Sequence, residues 1–144
     1  MNRKRLEKII THLESGRPKG SKKFTFSTLS VGPITKQHCG TNGCVMGDFP
    51  VIFPRHFVVR QGRYETSDND VFLLGGTATV TWGQDLLNFL DIEYGESRQL
   101  FWPTYYNDAP WNQSNLAKRP DRLTAKQVAK AIRRFIKWKD TNAA

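Results

Sequence analysis

Two apolar stripes at opposite ends of the chain constrain its fold more than any other feature. Leu6, Ile9, Ile10 and Leu13 recur at helical spacing in the first, and Val128, Ala131, Ile132, Phe135 and Ile136 do so in the second. Each pattern lines one face of an amphipathic helix, which has to bury that face against the rest of the protein. The first helix is predicted over 2–14 and ends at Ser15-Gly16-Arg17-Pro18, where Gly16 suits a C-cap and Pro18 cannot continue a helix. The second is predicted over 124–139, with the Thr124 hydroxyl capping its N-terminus.

Between these ends the periodicity changes character. Residues 56–82 are rich in β-formers, with His56-Phe57-Val58-Val59-Arg60, then Val71 to Leu74, then Thr77 to Trp82, separated by Gly- and Asp/Asn-containing turn signals. Helices are expected again at 84–90, burying Leu86, Leu87, Phe89 and Leu90, and at 96–101, burying Leu100 and Phe101. Residues 102–116 read as an aromatic loop interrupted by Pro103 and Pro110. The sum predicts an α+β fold in a single domain over 1–144, with about four helices around a small antiparallel sheet or hairpin. At 144 residues such a chain buries enough surface to fold without a disulfide or metal.

The net charge of +9 is concentrated at the two ends. Residues 1–23 carry eight basic side chains against two acidic ones and residues 118–144 carry nine against two, while the stretch between holds five against nine. Polarised basic surfaces attract phosphate backbones through counterion release. Nucleic acid or an acidic protein surface is therefore the expected partner, contacted through Lys126, Lys130, Arg133, Arg134 and Lys137 of the last helix. Arg3, Lys4 and Arg5 extend the patch if the terminal helices lie side by side. The same charges also serve as a solvated helix face, so the pattern alone does not establish a ligand. No apolar run reaches the length of a membrane span, and a soluble, cytoplasmic protein is expected.

Reactive side chains cluster elsewhere, in His38-Cys39-Gly40-Thr41-Asn42-Gly43-Cys44-Val45-Met46-Gly47-Asp48-Phe49-Pro50, which holds both cysteines. A signature turn and short helix are expected over 39–49, with Thr41 as its N-cap. Cys39, Cys44 and His56 supply ligand types that zinc favours, but a four-residue gap between the cysteines departs from the usual two-residue knuckle. A thiolate near a helix N-terminus, with His38 or His56 as base and Asp48 to orient it, would make a nucleophile. No protease or transferase signature surrounds these residues, and a Cys39–Cys44 disulfide, which the turn would permit, would be a regulatory redox site in a reducing compartment. Small thiols also pack helices, glycines permit tight turns, and this structural role is the reading that the spacing favours. No catalytic residue and no cofactor are assigned.

The pattern Cys39-Gly40-Thr41-x-x-Cys44-x-x-Gly47 resembles that of a family of small bacterial and phage-borne proteins whose function is not established. The resemblance implies an N-terminal helix, the cysteine turn and helix, a leucine-rich helix with a Leu-Phe element, and a C-terminal helix. Here these correspond to Leu6–Leu13, Cys39–Gly47, Leu86–Ile92 with Leu100-Phe101, and Ala125–Trp138. It also implies a phage or mobile-element setting, and no catalytic residues.

A second candidate surface lies in the aromatic loop, where Trp102, Tyr105, Tyr106 and Trp111 stand between Arg98 and Lys118-Arg119. Aromatics interleaved with cations stack on unpaired bases. The same side chains would also roof the core beneath a long loop.

Overall fold

Helix α1 (Arg3–Ser15) turns Leu6, Ile9, Ile10 and Leu13 into the core, and all four are fully buried. A computed structural model describes residues 1–15, 45, 48–60, 70–73 and 84–143. After α1 come a single-turn helix α2 (Phe49–Ile52), strands β1 (Phe57–Arg60) and β2 (Asp70–Leu73), and helices α3 (Gln84–Leu90) and α4 (Tyr94–Phe101). Three short 3₁₀ turns, Pro103–Asp108, Gln113–Asn115 and Pro120–Arg122, lead to the long α5 (Ala125–Asn142).

α5 begins where its cap dictates. Thr124 Oγ1 accepts the backbone N–H of Gln127 at 3.3 Å, and the Gln127 side chain returns the bond to the Thr124 N–H at 2.8 Å, closing a capping box. That start fixes the helical phase, so Val128, Ala131, Ile132, Phe135 and Ile136 all face inward together with Ala129. α1 is the principal partner of this face. Arg3 reaches Asp140 near the end of α5 and Glu14 reaches Arg133 nearer its start, so the two helices run antiparallel.

α3 and α4 close the core from the other side. Asn2 N–H donates to Leu90 O at 2.7 Å, and Arg5 donates to Phe89 O at 2.6 Å, tying the start of α1 to the end of α3. Asp91 then takes the left-handed conformation at φ 52°, which ends α3, and Ile92 N–H returns to Leu87 O. Glu96 caps α4 by accepting the Glu93 N–H at 2.9 Å and also pairs with Lys139 of α5. A second apolar centre stacks Phe49, Phe53, Phe57 and Phe89 edge to face, with centroids 4.7–5.5 Å apart for the closest pairs.

The expected α+β architecture is corrected to a mostly helical one. Among the described residues, strand structure amounts to β1 paired antiparallel with β2, from Phe57 opposite Leu73 to Arg60 opposite Asp70. Two strands of four residues form no layer on which helices could pack. Phe57 enters the phenylalanine cluster at the margin, while the core is built helix against helix. Among the described residues the β-former-rich stretch 56–82 contributes this one pairing, whereas the buried apolar residues of α3, α4 and α5 sit at helical spacing. The strand expected at Thr77 to Trp82 lies outside the described residues.

Candidate functional site

The phase of α5 that buries its apolar stripe turns a row of cations outward. Lys126, Lys130, Arg133 and Lys137 are exposed and Arg134 is half-buried. Lys126 to Lys137 covers about 16 Å of helix at 1.5 Å per residue. The row has two flanks with different electrostatics, because α1 lies along one and the 3₁₀ segment along the other.

On the α1 flank the charges neutralise one another. Arg133 makes two bonds to Glu14, Nε at 3.1 Å and Nη2 at 2.7 Å. Arg3 reaches both Glu7, at 3.1 Å, and Asp140, at 2.9 Å. The bonds from Arg133, and to a lesser degree its charge and that of Lys126, hold the Glu14 carboxyl below its ordinary value against the opposing effect of desolvation. Arg3 and Arg133 are correspondingly held above theirs, each first of all by the hydrogen bond to its carboxylate.

The opposite flank is uncompensated. Two adjoining grooves of about 360 and 350 Å³ run between α5 and residues 106–123, sharing Asn115 and Arg134 in their walls. Lys130 and Arg134 line the first with Leu116 and Leu123, and Arg134 and Lys137 line the second with Trp111 and Trp138. Neither wall contains a carboxylate. Among the described residues, none of Lys130, Arg134 and Lys137 has an ion-pair partner. Grooves of this volume fall in the range that holds small ligands or single nucleotides.

No known family model, curated protein or solved structure matches this chain.

Two asparagines give the groove its outer wall. Asn107 Nδ2 donates to Ala117 O at 2.9 Å while its Oδ1 accepts the Ala117 N–H at 3.0 Å, so this amide pairs with the backbone as a neighbouring strand would. Asn112, fully buried, donates to Tyr106 O at 3.0 Å. The aromatic segment is therefore pinned and not an open loop. Tyr106 and Trp111 belong to the core, at 3 % and 6 % exposure, which removes Tyr106 as a stacking face. Trp102 and Tyr105 are half-buried, and Tyr105 already carries the Arg98 guanidinium 3.7 Å above its ring.

The basic N-terminus divides in the same way. Lys4 is exposed, but Arg5 turns toward α3, with its guanidinium 3.9 Å over the Phe89 ring. Arg3 lines one groove with Arg133 and Lys137 of α5, and Glu7 and Asp140 share that groove with them. Helix periodicity identified the α5 cations. It could not show which of them meet carboxylates contributed by α1.

Of the cysteine signature, His38, Cys39 and Cys44 lie outside the described residues, so the zinc and thiol readings gain no geometry. Among the described residues no three His, Cys, Asp or Glu side chains gather as metal ligands. Asp48, fully buried, lies 2.9 Å from Nε2 of His12 on α1, a partner that sequence reasoning missed. His56 instead rests edge-on against Phe89, with centroids 5.2 Å apart. Among the described residues no helix is long and apolar enough to cross a membrane.

Proposed function

We propose that this is a non-enzymatic binding protein that holds nucleic acid along the flank of α5 facing residues 106–123. The observation carrying this reading is the asymmetry of the basic helix, with Arg133 and Arg3 tied to carboxylates, Lys130 and Arg134 facing grooves without any, and Lys137, free of an ion pair among the described residues, bordering both sides. A phosphate backbone laid along this flank meets cations that need break no ion pair to receive it. An acidic protein would be attracted by the same charges, and direct titration with DNA separates the two. A cytoplasmic, phage or mobile-element setting accompanies this reading, the latter from the Cys-Gly-Thr-x-x-Cys resemblance alone.

The test is a filter-binding titration with a short DNA at several salt concentrations. Three phosphate contacts predict a slope of log affinity on log salt of about −3, and Lys130→Gln with Lys137→Gln should reduce its magnitude by about 2. Absence of binding at low salt, or a slope that the double variant leaves unchanged, would remove the proposal.

A further inference from the structure

The second groove has a chemistry that charge alone does not account for. Trp138 of α5 is half-buried, so part of its ring is left on the groove wall, and it packs on Trp111 with centroids 5.4 Å apart and planes inclined by 50°. Trp111 is held in turn by Phe135, edge to face at 4.8 Å. The indole platform is thereby braced from below. Its position on the wall does not depend on a ligand.

From these observations we infer that the groove between α5 and residues 111–115 takes an unpaired base, so that the nucleic acid is bound single-stranded. The inference rests on the α5 reading above and specifies the class of nucleic acid. A base is flat and stacks on indole whatever its identity. The phosphates on either side of it would fall to Arg134 and Lys137, which border the same groove. A duplex meets the cations but not the platform, because its base faces are covered by their neighbours. A purely apolar ligand would leave both cations unused.

Anisotropy of a labelled oligothymidine of about a dozen nucleotides, compared with a duplex of the same length, tests this at low salt. The single strand should bind about tenfold more tightly. Trp138→Ala should weaken single-strand binding about tenfold and leave duplex binding within about twofold, while Trp138→Phe, which keeps a ring, should retain most of the single-strand affinity. Tryptophan fluorescence of the unmodified protein provides a reading that needs no variant, since stacking of a base on Trp138 should quench it and duplex should not. Equal affinity for both forms, an equal loss in Trp138→Ala for both, or no quenching would overturn the inference and leave the α5 reading standing. Absence of binding to either form would remove both.

Discussion

A carboxylate with no exposed surface is costly to keep unless its oxygens are engaged, and Asp48 meets this demand partly through His12. The contact joins the segment that follows the cysteines to a largely buried side chain of α1, so it fixes where that segment docks. His12→Ala should therefore destabilise the protein by about 1–3 kcal/mol, the range for removing one partner of a buried hydrogen bond. Urea denaturation would measure it, with a loss well under 1 kcal/mol counting against a docking role. Arg98 shows a different economy at the same scale. Its guanidinium lies 3.7 Å over Tyr105 and 5.4 Å from the Tyr94 ring, so aromatic faces take the place of a carboxylate partner.

Among the elements, α5 depends most on its first turn, because the cap sets which residues face the core and which face the grooves. Thr124→Ala removes the Oγ1 acceptor and should cost about 1 kcal/mol, seen as a lower urea midpoint with an unchanged m-value. Thr124→Ser should restore most of it. This cap was legible in the sequence, as were α1, α3 and the buried face of α5, because each is written in residues three or four positions apart. α4 begins at Tyr94 and not Glu96, since a Glu93–Glu96 capping box is a less familiar start than Ser or Thr. α5 continues past residue 139 to Asn142, with the Thr141 hydroxyl and Asn142 amide bonding to carbonyls one turn back. The 3₁₀ segment was misread as a loop because the amides that pin it, Asn107 and Asn112, act on partners six to ten residues away. Local propensity carries no such signal. The α5 row was legible as cations, but its division into a neutralised and an open flank was not, because Glu14 lies 119 residues from Arg133.

At the scale of the whole molecule that ion pair joins the first helix to the last. The Glu14 carboxyl titrates below its ordinary value in the folded protein, so its contribution to stability is fully present above that ordinary value and is lost as pH falls through the lowered one. Glu14→Gln should accordingly be less stable than the parent near neutral pH, with the difference shrinking as the pH drops below about 4. Urea melts of both proteins across this range would check the sign, and a difference independent of pH would assign the effect to packing. Because both partners are exposed, the effect should also fall with added salt.

The antiparallel seating of α1 on α5 also bears on how the protein comes into being. A ribosome delivers α1 well before α5, so the nascent chain carries Leu6, Ile9, Ile10 and Leu13 without their main partner until more than a hundred further residues have been added. Closure of the core therefore waits for α5, and a product that stalls before it exposes an oily helix to the cell's chaperones and proteases.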